Sequence, residues 1–273
     1  MPNDKIYNNT IINQGTRLNF LIKLLISYSL LLSSLSYANE KTIHLTSLEW
    51  PPYAGASLPQ QGISIAVARA AFNAMGYDLK VTFFPWSRAV TLAKRKESKF
   101  IGYFPEYFST QTGKDFIYSD EMGSSPLGFA ERKNQSISWT KLDHLKPYRI
   151  GIVQDYINTE EFDAMIDSQS LKISSTINDA ANLKKLMSQR IDLAVIDKNV
   201  MKYLFKTDPS LSQKSDSAQF NNMILENKNL YICFKKNNHG QKISDIFNQG
   251  LKKINITITT KSVIDEILNP KSI

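Results

Sequence analysis

V-T-F-F-P-W-S-R-A-V-T-L-A-K-R-K-E-S-K-F-I-G-Y-F-P-E-Y-F-S-T-Q-T-G-K-D-F-I-Y-S-D, residues 81–120, holds the pattern from which the fold class follows. Two short apolar runs, residues 81–84 and 100–104, flank a basic segment, residues 87–98, whose Ala89, Val90, Leu92 and Ala93 fall where a helix would face a sheet. This spacing predicts strand, helix, strand: a parallel crossover unit. In open parallel sheets, ligands bind beyond the carboxyl ends of the strands. Both ends here carry aromatic and polar residues, with Pro85, Trp86, Ser87 and Arg88 after the first run and Phe104, Pro105, Glu106 and Tyr107 closing the second. The expectation is a ligand cleft.

Outward from this unit the alternation continues. Residues 42–46 read as a first strand stopped by Trp50, Pro51, Pro52 and Tyr53, and Gly62 precedes a helix built on Ile63, Val67, Ala70, Ala71 and Met75 and closed by Gly76. Strands and helices in alternation mean a parallel sheet with helices on its faces. Polarity rises through residues 131–136, where a first crossing between two domains is expected. A second alternating series follows: strands at 148–153, 172–173 and 191–196, and helices from Thr159 and over 178–188, with Asn158 and Glu161 spaced as a capping box. Polar residues 221–229 are the expected return crossing, before a strand at 230–234 and terminal helices at 242–254 and 261–268. No residue-level repeat relates the halves.

The chain has 273 residues, a formal charge of +8 and 42% hydrophobic residues, enough for one large domain or two small ones. At the N-terminus, Lys5, Arg17 and Lys23 precede an apolar run at 24–35, and Ser36, Tyr37 and Ala38 place small residues where a signal peptidase inspects them. Cleavage after Ala38 and export are expected. The apolar run falls short of the ~20 residues of a membrane-spanning helix. Its removal takes away three positive residues and one negative, leaving a charge of about +6 by counting. Cys233 is the only cysteine, so no internal disulfide is available, and its apolar surroundings point to a buried, inert thiol. The lysines are scattered, with no basic run alternating with stacking aromatics, which argues against nucleic acid as a partner. His44, His144 and His239 lack metal-ligand spacing, and there is no G-x-S-x-G elbow or G-x-G-x-x-G turn. No metal and no cofactor are expected.

Five stretches together resemble a known family: Trp50-Pro51-Pro52-Tyr53; Gly62 with the alanine-rich helix after it; Pro85-Trp86-Ser87-Arg88-Ala89; the step Phe116 to Asp120; and Asn182-Leu183 through Gln189-Arg190-Ile191-Asp192-Leu193 to Asp197. The chain is similar to the extracellular solute-binding proteins of the polar amino-acid class (family 3) that serve bacterial ABC importers, in a divergent Pro-Trp-x-Arg-Ala subgroup. The resemblance implies an α/β, two-lobed Venus-flytrap of type II with two hinge strands. Residues 39–130 and 227–273 would form one lobe and 131–226 the other. It also implies a periplasmic monomer without catalysis that captures a small polar solute and presents it to an inner-membrane permease. The rival classes are an enzyme on the same fold, resembling cyclohexadienyl dehydratase, with Glu106 as acid or base, and a ligand-sensing partner of a membrane receptor.

The resemblance also ranks residues. In the family's amino-acid binders an arginine in a T-x-x-R turn clamps the ligand carboxylate; here the turn reads Ser109-Thr110-Gln111-Thr112-Gly113-Lys114, and Lys114 supplies charge without the two-pronged geometry. Asp197 matches an aspartate that takes the ligand amino group, although an aspartate before Lys198 is also a natural helix cap. Asp155 stands near where relatives have glycine at an anion-binding helix start, so a carboxylate there opposes an anionic ligand and leaves a cationic, amine-bearing or aromatic one open. The candidate ligand contacts are Tyr53, Trp86, Arg88, Phe104, Lys114, Tyr156 and Asp197.

Overall fold

The computed structural model of the chain describes residues 41–268, so the leader and its cleavage site lie outside the described residues. Three parallel strands, β1 (Thr42–Ser47), β2 (Asp78–Phe83) and β3 (Gly102–Tyr107), form the first strand group, β1 lying between the other two. Helices α1 (Ile63–Asn73) and α2 (Trp86–Lys94) make the crossovers. The first buries Ile65, Val67, Ala68, Ala71 and Phe72. Its alanines keep that face low. Gly250 of α8 (Asn238–Leu251) exploits this, since a Cβ there would lie 2.1 Å from the Ala71 carbonyl oxygen. The two helices therefore meet backbone to backbone, with Phe72 and Phe247 rings 5.2 Å apart beside the contact.

The second group repeats the plan with β6 (Arg149–Val153), β7 (Lys172–Thr176) and β8 (Leu193–Asp197), again parallel, β6 in the middle. Helices α4 (Glu160–Asp167), α5 (Asp179–Met187) and α6 (Lys198–Thr207) follow these strands in turn, and α3 (Thr112–Asp115) is a short turn in the first group. The helix starts are capped as the residue types dictate: Asn178 accepts from Ala181 N–H and Asp197 from Asn199 and Val200 N–H. At α4 the cap is Thr159, which accepts from Phe162 N–H, rather than Asn158. Asn158 instead donates to the Asp163 carboxylate at 2.7 Å, which removes it from the cap.

Two ten-residue strands, β5 (Gly123–Arg132) and β10 (Glu226–Lys235), run between the groups. The sheet order is β2-β1-β3-β10-β5-β8-β6-β7, with β4 (Phe116–Tyr118) on β10 and β9 (Ala218–Phe220) on β5. The first half of β5 pairs with β10 and the second half with β8, both antiparallel. The polar end of β5 is not simply solvated: Glu131 is 1% exposed and accepts from Ile137 N–H, Ser136, Gln219 and Asn221. Beside it the buried Arg132 guanidinium donates to the carbonyls of Leu186 (2.8 Å) and Ile191 (2.6 Å), closing the end of α5. The chain ends in α8 and α9 (Ile256–Leu268), which both pack on α1, while α7 (Pro209–Ser212) follows α6. Among the described residues no helix is long and apolar enough to cross a membrane.

Candidate functional site

The site is built at the carboxyl ends of the strands. After β1, Trp50 and Ala54 exchange backbone hydrogen bonds in a tight turn, and Gly62 folds over it with φ of 99°, its Cα so close that a Cβ would sit 2.7 Å from Tyr53 O. Only glycine fits both constraints. The turn stacks Trp50 on Tyr53, ring centroids 4.5 Å apart and 25° from parallel. Tyr53 thereby points its hydroxyl at the second group, 3.2 Å from Asp197 Oδ2, and accepts from Asn199 Nδ2 at 2.8 Å.

Asp197 is 2% exposed and fully engaged. Its Oδ1 caps α6 by accepting from Asn199 N (2.7 Å) and Val200 N (2.8 Å), while Oδ2 accepts from Ser125 Oγ at 2.6 Å as well as facing Tyr53. Tyr107 Oη lies 2.5 Å from Ser125 Oγ, extending the chain of hydroxyls to the end of β3. Burial raises the Asp197 carboxyl above the usual carboxylate range, opposed by those hydrogen bonds. Asp179, at the first position of α5, is pushed up to about 7 by burial and then by the charge of Asp197, with a Trp50 hydrogen bond pulling the other way.

Beside this cluster Leu48, Trp50, Trp86, Glu106, Tyr107 and Tyr156 line a small, partly open pocket of about 30 Å³, room for a water rather than for a solute. Glu106, 6% exposed, accepts from Tyr103 Oη at 3.1 Å and from Tyr107 N at 2.8 Å. Burial pushes its carboxyl up to about 8 against those two bonds and the Lys228 charge. Trp86, Glu106 and Ile157 are shared with a wider, open cleft of about 640 Å³ bounded by Ser87, Ser109, Thr110, Asp155 and Glu160 among others. Three contacts cross it. Trp86 Nε1 donates to Asp155 O at 3.1 Å, Ser87 Oγ donates to Asp155 Oδ2, and Thr110 Oγ1 donates to Glu160 Oε1 at 2.8 Å. Asp155 itself sits at φ of 62°, a left-handed position that suits glycine and that aspartate tolerates, which gives a backbone reason for glycine at such a turn.

Of the residues singled out from sequence, Tyr53 and Asp197 meet each other, and Trp86 and Tyr156 line one cavity with rings 6.1 Å apart and 80° between planes. The other three are placed elsewhere. Arg88 lays its guanidinium carbon 5.1 Å from the Phe84 ring centroid on an exposed helix face. Phe104 is wholly buried in β3, where its carbonyl accepts from Ser47 Oγ at 2.7 Å. Lys114 is exposed on α3 and donates to Gln111 Oε1 at 2.8 Å. Sequence reasoning left out Lys228, 5% exposed on β10 with its ammonium 5.6 Å from the Tyr107 ring centroid. The alternation back from Phe234 through Ile232 and Leu230 puts residue 228 on the same strand face, and that period was the signal for it. Asp179 carries no such signal. Among the described residues no group of three or more His, Cys, Asp or Glu side chains is arranged to hold a metal ion.

No family model matches the chain, and no curated protein matches it. Solved structures share its architecture. The GluR0 ligand-binding core from Nostoc punctiforme, in complex with L-glutamate, matches at a TM-score of 0.66 and 16% identity, over 84% of this chain and 100% of that one. A histidine kinase sensor domain with similarity to periplasmic binding proteins matches at 0.69 and 16% identity, over 83% and 96%. The substrate-binding protein of an amino acid ABC transporter matches at 0.64 and 16% identity, over 84% and 99%. At such identities the likeness speaks of backbone architecture, and with the strand order described above it establishes that the chain has the α/β, two-lobed periplasmic-binding-protein fold.

Proposed function

We propose that the protein is a periplasmic solute-binding protein that captures a small polar solute between two lobes and hands it to an ABC permease. Residues 39–130 with 227–273 form one lobe and 131–226 the other, β5 and β10 serve as the hinge, and the working form is a monomer delivered by a leader cleaved after Ala38. The observation that carries this reading is the origin of the cavity walls. In the wider cleft Trp86, Tyr103 and Glu106 come from the first strand group, and Asp155, Ile157 and Glu160 from the second. A solute lying there touches both groups at once, so it stabilises the closed arrangement by contacts that an open one lacks, which is all a population shift requires. The test is native mass spectrometry of the purified protein followed by a thermal-shift screen of amino acids, amines and small acids. A melting temperature that climbs with solute concentration supports capture, and a flat response across the screen removes it.

A second reading rests on Glu106, a buried carboxyl on the cavity wall held up to about 8 and so protonated near neutrality, as a general acid must be. It assigns the fold an elimination on a prephenate- or arogenate-like acid. Incubation with either compound decides: product formation favours the enzyme, and recovery of the compound unchanged favours capture.

A further inference from the structure

The chain carries 33 lysines and arginines against 25 aspartates and glutamates, yet the cleft walls invert that balance. The charged residues bounding the wider cleft are Glu106, Asp155, Glu160, Asp163 and Asp167, all acids. Those whose hydrogen bonds are defined are held by neutral donors: Asp155 by Ser87, Glu160 by Thr110, Asp163 by Asn158, and Glu106 by Tyr103 and a backbone N–H. None of them takes part in an ion pair among the described residues. The cation that Glu106 and Asp163 do feel, Lys228, stands behind the Tyr107 ring and outside both sets of walls.

The second, independent feature is aromatic. Trp86 is set edge-on to Tyr103 at 5.3 Å and to Tyr156 at 6.1 Å, and the Trp86 and Tyr103 rings line the wider cleft beside Glu106. Ring faces attract cations, and do so most strongly where water is excluded. Acids without counter-charges and aromatic rings are matched by the same partner. A free α-amino acid brings a carboxylate as well as an ammonium, and the charged side chains of these walls are all acids; Lys114, in the turn that resembles the family's clamp, does not line the cleft and donates to the wall residue Gln111.

Resting on the solute-capture reading above, we propose that the solute is an organic cation without a carboxylate, of which an aliphatic diamine is the simplest member, seated in the wider cleft beside the rings of Trp86 and Tyr103 with its ammonium groups on Glu106 and Asp155. The Glu106 carboxyl, held up to about 8 by burial, fits this, since an arriving ammonium would ionise it and release a proton. The diamine enters whole and leaves whole.

The experiment is isothermal titration calorimetry on the full-length protein with 1,4-diaminobutane, L-arginine, L-glutamine and L-glutamate as probes, in low and high salt and in two buffers of different ionisation enthalpy. Expected are saturable binding of the diamine at least tenfold tighter than any of the three amino acids, weakening in salt, and a buffer-dependent heat reporting proton release. Glu106→Gln keeps the shape of the protonated acid, so it should fold as the parent does while weakening the diamine tenfold or more; Asp155→Asn should weaken it less. Tighter binding of any amino acid than of the diamine, or a Glu106→Gln variant that binds the diamine as the parent does, overturns the inference and leaves capture standing. No binding by any probe, with a flat thermal screen, takes capture down as well.

Discussion

Tyr53 and Asp197, 144 residues apart in the chain, meet with the phenol oxygen 3.2 Å from Oδ2 of the carboxylate, both side chains almost fully buried. The contact ties the turn after the first strand of one group to the end of the last parallel strand of the other. Removing only the hydroxyl, by Tyr53→Phe, leaves Asn199 Nδ2 without its acceptor and Asp197 Oδ2 with Ser125 alone. The variant should lose about 1–3 kcal/mol, the usual penalty for stranding a buried polar group. Urea unfolding followed by tryptophan fluorescence checks it, and an unchanged midpoint would show that water satisfies both atoms.

Glu106 gives stability a pH dependence whose sign follows from burial. Its carboxyl goes from an ordinary 4.5 to about 8 in the folded protein. A raised carboxyl binds its proton more tightly when folded, so its contribution is complete at pH below about 4.5 and lost as pH climbs to about 8. The groups acting on it are Tyr103 and the Tyr107 amide from β3 and Lys228 from β10, with Cys233 of β10, Tyr118 of β4 and Tyr156 after β6 coupled to it by charge. Melting temperature should therefore fall between pH 5 and 8 more steeply, roughly one proton's worth, in the parent than in Glu106→Gln. Parallel pH profiles for the two proteins would count against this assignment.

Arg132 sits 6% exposed with its guanidinium spread over the carbonyls of Leu186 and Ile191, the side chain of Gln135 and, at 3.4 Å, Asp192. Arg132→Ala takes a charged donor from the Leu186 and Ile191 carbonyls and leaves Asp192 without its buried partner, and should cost about 1–3 kcal/mol. Arg132→Lys should recover only part of that, because one ammonium does not reproduce the planar fork. Chemical denaturation of the two variants orders them; equal stability of Lys and Arg there would show that charge alone is what matters.

Trp86 reaches Asp155 O through its indole N–H and fills the space beside Tyr103 and Tyr156. Without it the cross-cleft contacts reduce to Ser87 with Asp155 and Thr110 with Glu160, both exposed. Trp86→Ala should shift the unliganded protein toward a more open arrangement, visible as a larger radius of gyration in small-angle scattering. An identical scattering curve would mean that closure is set by the hinge strands and not by this side chain.

The alternation of apolar runs made most of the parallel strands and crossover helices legible, because those elements are covered and read as continuous or periodic apolar stretches; β7, Lys172 to Thr176 with no residue buried, is the exception. The strands that run between the groups were harder. Strand β5 contains Gly123, Ser124, Ser125, Pro126 and Gly128, which interrupt any alternation, and Glu131 and Arg132 at its end look like a surface loop although both are buried. Strand β10 begins with Glu226, Asn227, Lys228 and Asn229, whose polarity hides a register shared with β5. Within the site, Tyr53 and Asp197 were each visible, but nothing in one chain announces that residues 144 apart touch. Phe104 and Arg88 were picked by nearness in sequence to a strand end; β3 is covered on both faces, so Phe104 packs inward, and the turn of α2 carries Arg88 away from Trp86 and onto Phe84.

Because both oxygens of Asp197 are already occupied, two amides on one and two hydroxyls on the other, any guest that recruits this carboxylate must first evict a resident. The hydroxyl of Tyr53 makes the longest of these four contacts and its ring lies flat on Trp50. Eviction at that oxygen would register at once in the indole beside it. The molecule thus comes with its own optical gauge: with Trp86 and Trp139 replaced by Phe, a change in Trp50 emission on adding a candidate compound reports arrival at the carboxylate without any label.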